Sequence, residues 1–346
     1  MSNLFLIGNG FDLACGLKTS YRDAYNVYFE RKSANEVIKK FKNEIESDYP
    51  TWADFEEGIA KYAGKVNSEE EIIMCVRDFR DFLVHYLYSQ QTSFFRGINN
   101  DANLANNLQK EMRRSIESFY KGNTNNINRI AGENSMLSGA DNYFVSFNYT
   151  RVFDQLLSLC VSGSKSSEKK YKIDQNVVHI HGKLEDEDCT LGIDNENQLD
   201  VKYGLTNKGK RALIKPIFNN LFDSARVSTV RSYMLRSYNV CVFGMSLGES
   251  DLTWRSELLS WLVEDKRRQL FLYDYRMTSA NKANSAEERM SYEDEYREEL
   301  AQKWNTEKYG DILGRIHIPY GRDKTIFRMD EALSMAEAAN KTVKAN

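Results

Sequence analysis

The sequence has few cysteines, and no two of them form a C-x-x-C pair. The five thiols are Cys15, Cys75, Cys160, Cys189 and Cys241. Because they are odd in number and widely separated, they argue against both a disulfide framework and a structural zinc site with four cysteines. We interpret them as reduced thiols, which are typical of the cytosol.

The chain also lacks a charge excess and a long apolar run. Lysine and arginine number 47 against 50 aspartates and glutamates, which gives a net charge of -3. This balance excludes a global basic field that would attract nucleic acid or anionic lipid. No window approaches the roughly 18 apolar residues of a membrane span, and the apolar run of residues 4–7 is too short for a signal peptide. The sequence therefore predicts a cytoplasmic protein without a membrane partner.

Apolar and aromatic residues are abundant enough for a large core. Hydrophobic residues make up 41% of the 346 residues, with 18 Phe and 20 Tyr. Between residues 19 and 139, apolar side chains recur at helical spacing, which predicts helices that face a core. The clearest stripes are Ile72, Val76, Phe79, Leu83 and Leu87, and Leu104, Leu108, Met112 and Ile116.

After residue 140 the pattern changes to short apolar runs that alternate with helical segments. The runs of strand length are residues 143–147, 177–181, 240–243, 270–273 and 315–319, and helical patterns span residues 150–161 and 250–263. Alternating strands and helices with near-continuous apolar strands predict a parallel sheet covered on both faces. We expect a Rossmann-like α/β core made from residues 1–18 and 140–346. Residues 19–139 would form a large α-helical insertion.

The first strand ends in Gly8-Asn9-Gly10. After a buried parallel strand, glycines without side chains let backbone N–H groups approach a phosphate or a ribose closely. Two glycines also make an ordinary turn, and the third glycine of the dinucleotide fingerprint is absent at its expected spacing. The loop is therefore a candidate nucleotide site, with the plain turn as the alternative.

Asp12 follows this loop and limits what the loop can bind. A carboxylate some 4 Å from a phosphate charge would cost about 4 kcal/mol at a near-surface dielectric, so Asp12 should not face phosphate. It could accept hydrogen bonds from ribose hydroxyls, bind a metal ion, or cap the local turn.

Three other stretches end predicted strands in polar residues: FVSFNYT (residues 144–150), VVHIHGKL (177–184) and VCVFGMSLGESD (240–251). The carboxyl ends of parallel strands share one edge of the sheet, so Asn148, His181, Ser246 and Asp251 can converge on the opening loop. Asp251 could alternatively cap the helix that follows it.

Asn148 and His181 are the candidates for chemistry at this edge. The amide of Asn148 can hold a sugar hydroxyl or a water, or it can make a local turn or cap. His181 can act as a general base, whereas His179, about 7 Å away on the same side of the strand, is interpreted as a packed histidine.

Residues 244–248 match G-x-S-x-G in a strand–turn–helix context, which would make Ser246 a hydrolase nucleophile. That mechanism needs an acid and a histidine downstream, and His317 is the one histidine available there. Because it leaves the opening loop, Asn148 and His181 without a role, we rank the serine hydrolase below a nucleotide enzyme.

Together, GNGFDLACGLKTSY, SFNYT, HIHGKL and FGMSLGESD resemble the AbiH family of bacterial phage abortive-infection proteins over residues 3–251. More distantly, the ordered set of Gly-rich loop, Asn-Tyr, His-Gly and Gly-x-Ser-Leu is similar to the sirtuin-like NAD-consuming superfamily. The four-cysteine zinc module and the serine- and arginine-bearing loop of deacetylating sirtuins are absent, so deacetylation is not expected. Cys15 stands where the AbiH motif favours histidine.

The resemblance implies an anti-phage effector that binds a nucleotide and hydrolyses NAD at its N-glycosidic bond, with no required cofactor and no metal. The implied catalytic residues are Asp12, Asn148 and His181, and the implied binding residues are Gly8, Asn9, Gly10, Phe11, Gly244, Ser246 and Asp251. An unknown phage component would act as the trigger, and the helical lobe could support a homo-oligomer. The alternatives are a non-catalytic sensor of a nucleotide or phage component, a metal-dependent nuclease using Asp12 and His181, and the Ser246 hydrolase.

Overall fold

The computed structural model describes residues 2–118, 141–162, 172–186, 188–199, 201, 203–279 and 285–345. Within these residues, six strands form one sheet, and every adjacent pair is parallel. The strands are β1 (Ser2–Ile7), β2 (Asp141–Ser146), β3 (Lys172–His179), β4 (Ser237–Phe243), β5 (Gln269–Tyr273) and β6 (Ile316–His317). The predicted Rossmann-like α/β class is confirmed.

The strand order is β3-β2-β1-β4-β5-β6, so the N-terminal strand lies at the centre. Phe5 of β1 is in register with Phe144 of β2 on one side and with Cys241 of β4 on the other. The chain winds outward in both directions from the β1–β4 pair. A sheet of this kind has its topological switch point between those two strands, and open α/β sheets bind ligands outside the carboxyl ends there.

Helices before β2 are α1 (Gly10–Ala14), α2 (Tyr21–Glu30), α3 (Glu36–Ser47), α4 (Phe55–Tyr62), α5 (Glu69–Asn100) and α6 (Ala102–Glu117). Helices after it are α7 (Val152–Ser162), α8 (Asn207–Leu213), α9 (Lys215–Phe222), α10 (Ser224–Arg236), α11 (Leu252–Glu264), α12 (Tyr275–Thr278), α13 (Ala286–Trp304) and α14 (Met329–Ala345). Several begin at a side chain that accepts a first-turn N–H: Ser20, Asn35, Asp54, Ser68 and Asp101. These caps offset the unpaired donors of the first turn. None of the described helices has an apolar stretch long enough to span a membrane.

Alternate residues of each strand face opposite layers of helices. Leu4 and Leu6 of β1 lie in a core with residues of α10, α11 and α13. Phe5 and Ile7 lie in a second core with residues of α1, α6, α7 and α14. Both faces of the sheet are therefore covered, which explains why the strands are nearly continuous apolar runs.

A third core belongs to a helical lobe made of α2 to α5 and residues 184–217. Its centre is aromatic: Tyr25, Tyr28, Phe41, Trp52, Phe55 and Phe79 are all almost completely buried. Helix α6 lies within the predicted 19–139 insertion, but its Leu108, Met112 and Ile116 pack on the sheet. The lobe thus ends near the middle of α5 in the first part of the chain, and it also contains residues that follow β3 in the sequence. Residues 119–139 of the predicted insertion lie outside the described part of the chain.

Two predicted strands differ from those observed. The strand predicted over residues 177–181 begins at Lys172 and ends at His179, so His181 lies in the turn beyond it. The strand predicted over residues 315–319 pairs with β5 over just two residues, Ile316 and His317. The helices predicted over residues 150–161 and 250–263 are observed with shifts of one or two residues.

Candidate functional site

A cleft of about 700 Å³ opens at the carboxyl edge of the sheet, at the β1–β4 switch point. The sheet side of the cleft is lined by Gly8, Asp12, Asn148, His181, Ser246 and Asp251. The opposite side is lined by residues of the helical lobe, among them Tyr21, Asp54 and Glu56. The structure thus brings together most of the residues that sequence reasoning selected, on the edge where they were expected.

Asp12, in the short helix α1, lies at the bottom of the cleft with 1% of its surface exposed. One carboxylate oxygen accepts a hydrogen bond from Asn148 Nδ2 at 3.1 Å, and the other accepts one from Thr150 Oγ1 at 2.5 Å. Burial raises the pKa of Asp12 to about 7, against the opposing effect of these two hydrogen bonds. The carboxyl group is therefore close to half ionised at neutral pH.

The amide of Asn148 has a fixed orientation. Its Nδ2 donates to Gly8 O and to Asp12 Oδ1, both at 3.1 Å, so both amide hydrogens are used. Its Oδ1 is buried and has no hydrogen-bond partner among the described residues. An amide oxygen can only accept. The arrangement therefore offers a single acceptor, suited to a sugar hydroxyl or to a water.

The two histidines of β3 and its turn differ in their surroundings. His179 is fully engaged, because Nδ1 donates to Asn148 O at 2.9 Å and Nε2 lies 3.0 Å from Asp154 Oδ2. This agrees with its interpretation as a packed histidine. The hydrogen bond from Nδ1 also fixes the position of the Asn148 carbonyl oxygen.

His181 lines the cleft, and its Nδ1 is buried without a partner among the described residues. Its ring meets Phe147 edge-on, with 5.5 Å between the centroids. Burial, together with repulsion from Lys215 and Arg226, lowers the pKa of His181 well below its usual value. The imidazole is consequently neutral at pH 7, able to hydrogen-bond but a weaker base than an ordinary histidine.

The N–H groups of Gly8 and Gly10 are not free, in contrast to the expectation from the sequence. Gly8 N donates to Phe243 O and Gly10 N donates to Gly244 O, each at 2.8 Å, while Phe11 N donates to Gly8 O. A Cβ on Gly10 would lie 2.5 Å from Gly244 Cα. Gly8, Gly10 and Gly244 therefore allow the loops after β1 and β4 to pack backbone to backbone. Their expected role of presenting free N–H groups to a pyrophosphate is not what these contacts provide.

Asn9 and Phe11 were also expected to bind the nucleotide. Asn9 borders the cleft, but its side chain is bonded to Thr19, donating to its carbonyl oxygen and accepting from its hydroxyl at 2.6 Å. Phe11 is fully buried and packs edge-on against Phe153 and Phe327 in the core under the sheet. Phe11 is thus a core residue and does not line the cleft, in contrast to the prediction that it binds the nucleotide.

Ser246 and His317 do not form a catalytic pair in this fold. Ser246 is exposed at the cleft, after β4. His317 is in β6, with β5 between the two strands, and its ring stacks on Phe271 and bonds Gln269 Oε1 at 2.7 Å. The G-x-S-x-G match therefore lacks the histidine that a nucleophile elbow requires.

Sequence reasoning missed a buried ion pair in the cleft wall. Lys215, at the start of α9, donates to Ser250 O at 2.9 Å and lies 3.6 Å from Glu56 Oε1. The hydroxyl of Tyr21 donates to the same Glu56 oxygen at 3.1 Å. Burial raises the pKa of Glu56 to about 8, against the pull of Lys215. Burial lowers the pKa of Lys215, but attraction to Glu56 and Asp251 outweighs it, so that pKa is raised.

Asp251 lines the cleft beside this pair. It stands at the N-terminus of α11 but makes no capping hydrogen bond, so the alternative role as a helix cap is not observed. Burial raises its pKa, and Lys215 opposes that shift. Among the described residues, no group of three His, Cys, Asp or Glu side chains is placed to hold a metal ion.

A family of known proteins matches most of the chain. The family model described as bacteriophage abortive infection AbiH matches residues 4–273, which is more than three quarters of the chain and includes every cleft residue named above. No curated protein matches the sequence.

Proposed function

This chain belongs to the bacteriophage abortive infection AbiH family, and on that basis we propose that it is an anti-phage effector that hydrolyses NAD at the bond between nicotinamide and ribose. The family supports the role in phage abortive infection. The choice of NAD comes from the resemblance of the four motifs to the sirtuin-like superfamily. One observation carries the chemistry: Asn148 and His181 line the same cleft, and each has a buried polar atom, Oδ1 and Nδ1, with no hydrogen-bond partner among the described residues.

Hydrolysis of this bond needs positioning and electrostatics more than a strong nucleophile. As the C–N bond breaks, nicotinamide leaves with the electron pair and positive charge develops on the ribose. A water then forms the new C–O bond and loses a proton. Groups that orient the ribose and the water, and carboxylates near the sugar, lower the barrier to this step.

In this proposal Asn148 Oδ1 accepts from the attacking water or from a ribose hydroxyl, since both amide hydrogens are already bonded. His181 hydrogen-bonds a second ribose hydroxyl in its neutral form. Asp12, with a pKa of about 7, is the better candidate to take the proton, and it also stabilises the positive sugar. The sequence suggested His181 as the general base; in this proposal the general base is Asp12.

Regulation forms part of the same proposal. Unrestrained NAD loss would kill the host, so we infer a resting state that a phage component releases. The helical lobe is the proposed surface for assembly of several copies. Purified protein with full activity and no trigger would contradict the resting state.

The test measures cellular NAD and survival in bacteria that express the protein and are challenged with a panel of phages. We expect the cellular NAD concentration to fall during infection of cells with the wild-type protein. Asn148→Ala or His181→Ala should reduce the rate of NAD loss by about 100-fold. Asn99→Ala, an exposed asparagine at the end of α5, is the matched control.

Three outcomes would redirect the assignment. Intact defence with constant NAD would reject NAD hydrolysis and favour a sensor. Hydrolysis of an ester probe that is lost in Ser246→Ala, with NAD left intact by the wild type, would favour the serine hydrolase. Cleavage of nucleic acid that depends on added metal would favour a nuclease. Purified variants with a wild-type melting curve exclude misfolding as the cause.

A further inference from the structure

The walls of the cleft carry more negative than positive groups. Its ionisable lining consists of Asp12, Asp54, Glu56, Glu57, Asp251 and Asp274 against Lys215 and Arg276, with a neutral His181. Glu57 pairs with Lys61 at 2.7 Å, and Asp274 pairs with Arg276 at 3.4 Å. Four carboxyl groups then remain against the single ammonium of Lys215. Because burial raises the pKa of Asp12 to about 7 and that of Glu56 to about 8, this excess of negative charge is largest above pH 8.

Both cations of the lining are already engaged. Lys215 is held by Ser250 O and by Glu56. Arg276 lies at the rim with 60% of its side chain exposed and bonds Asp274, Glu299 and the hydroxyl of Tyr296. A bound phosphate normally meets arginine, lysine or free backbone donors. Lys215 is not available to a phosphate without leaving these partners, and Arg276 is exposed to solvent, where water and salt screen its attraction to an anion.

Three backbone N–H groups of the loop after β1 are not free to bind an anion. The N–H groups of Gly8, Gly10 and Phe11 all donate to carbonyl oxygens within the protein. The five-residue helix α1 that follows carries Asp12 in its first turn, which opposes negative charge at that end. A pyrophosphate placed on this loop would therefore meet bonded donors and a buried carboxyl group.

The same surroundings suit a ligand that is positively charged and rich in hydroxyls. Asn148 Oδ1 is an unpaired acceptor in a residue that is 6% exposed, and His181, 7% exposed, has an unpaired Nδ1. These atoms point to a ligand with hydroxyl donors, as a ribose has. Carboxylates around a ribosyl pyridinium would stabilise its charge before cleavage and the charge of the sugar during it.

We infer that the cleft recognises a cationic N-riboside of the nicotinamide type and gains nothing from the phosphates of a dinucleotide. This inference rests on the proposed glycosidase function and narrows its substrate class. Nicotinamide riboside is then a better substrate than nicotinamide mononucleotide, and the mononucleotide is better than or equal to NAD.

The experiment uses the purified full chain and three probes: nicotinamide riboside, nicotinamide mononucleotide and NAD. Nicotinamide release with and without phage extract gives kcat/KM for each probe, and titration calorimetry gives each Kd under conditions in which no nicotinamide is released. We expect kcat/KM and affinity for the riboside to exceed those for NAD by about tenfold at low salt and a pH above 8, where Asp12 and Glu56 are mostly ionised. The difference should shrink as salt rises, because screening weakens charge discrimination.

Variants then test whether the charge of a cleft residue, and not its size, determines the preference for the riboside. Asp251→Asn, which keeps the size of the side chain, should reduce the riboside-to-NAD ratio by about threefold or more. Glu46→Gln removes the same charge from an exposed site on α3 and should leave the ratio unchanged. An unchanged ratio in Asp251→Asn would overturn the electrostatic basis of the preference.

The outcomes distinguish this inference from the proposed function. If NAD is cleaved and bound as well as the riboside or better, the inference is wrong and the glycosidase proposal stands. If no probe is cleaved with or without phage extract but the riboside binds more tightly, the glycosidase is wrong and the charge preference stands. If no probe binds, both are rejected.

Discussion

Asp12 carries a carboxyl group whose ionisation depends on its buried position. Its oxygens accept from Asn148 and Thr150, yet burial still raises its pKa from 3.8 to about 7. The three side chains form one unit, because the bonds that orient Asp12 also direct Asn148 Oδ1 away from it. A change in the charge of Asp12 therefore acts on both stability and the site.

The first prediction concerns Asp12→Asn, which keeps the shape of the side chain and removes the charge. The native state holds the Asp12 proton more tightly than the unfolded chain, so this group stabilises below pH 4 and that contribution is lost as pH rises through 7. Relative to the wild type, Asp12→Asn should gain about 2–4 kcal/mol in the free energy of unfolding between pH 5 and pH 8.

Urea unfolding at the two pH values measures this difference. Asp323→Asn, at an exposed position, serves as the control and should show no such gain. A gain that is equal in the two variants would mean that Asp12 titrates as it does in water. Asp12→Asn should also abolish nicotinamide release, since the proton acceptor is gone.

At the scale of elements, the contact between the loops after β1 and β4 determines the shape of the cleft floor. Gly10 N donates to Gly244 O, and Gly244 itself adopts a φ of +72°. The backbones approach so closely that side chains do not fit between them. The glycines thus allow the loops after β1 and β4 to pack closely at the switch point. These contacts do not provide free N–H groups for a ligand.

The second prediction follows from this contact. A Cβ on Gly10 would lie 2.5 Å from Gly244 Cα, so Gly10→Ala must push the two loops apart. We expect a loss of about 1–3 kcal/mol in the free energy of unfolding. Gly314→Ala is the control, because a Cβ there has no atom within 4 Å. Equal denaturation midpoints for the two variants would refute the close packing.

At the scale of the whole molecule, the helical lobe completes the cleft that the sheet begins. The hydroxyl of Tyr21 in α2 donates to Glu56 of α4, Glu56 pairs with Lys215, and Lys215 donates to Ser250 O after β4. This chain of contacts links the lobe to the sheet edge. Stability of the lobe and the shape of the site are therefore coupled.

The third prediction removes the central cation of this network. Lys215→Met would leave Glu56 and Asp251 buried without an opposite charge, at a cost of about 3 kcal/mol at pH 8. The cost should be smaller at pH 6, because Glu56, with a pKa of about 8, is then mostly protonated. Chemical unfolding at both pH values measures the difference.

A double variant provides the check on this reasoning. Glu56→Gln combined with Lys215→Met removes both charges and should recover part of the lost stability at pH 8. A double variant as unstable as the sum of the two single variants would show that the two residues do not interact.

The fold was largely predictable from local patterns. Apolar runs bounded by polar turns located the strands, and stripes at helical spacing located the helices. The position of α6 could not be predicted, because its apolar stripe fits a lobe or a sheet equally well. β6 pairs with Leu270 and Phe271 alone although β5 continues to Tyr273, so the apolar run of residues 315–319 did not determine how many of its residues pair.

The candidate site was predictable in part. Asp12, Asn148 and His181 converge because carboxyl ends of parallel strands share an edge. Glu56 was missed because it stands among other charged residues in FEEGIAKY, although its helical position puts it on the apolar face. Lys215 had a readable signal, since it is the lone charge in ALIKPIF, residues 212–218.

The sequence by itself determined which elements form, which strand ends are polar and which family the chain resembles, because each of these follows from local residue order. Tertiary structure alone decided which donors stay free, which carboxyl groups are protonated and what charge the cleft presents. Those properties depend on burial and on partners distant in the chain. Gly8 N and Gly10 N donate to Phe243 O and Gly244 O, and Lys215 pairs with Glu56 in the cleft wall.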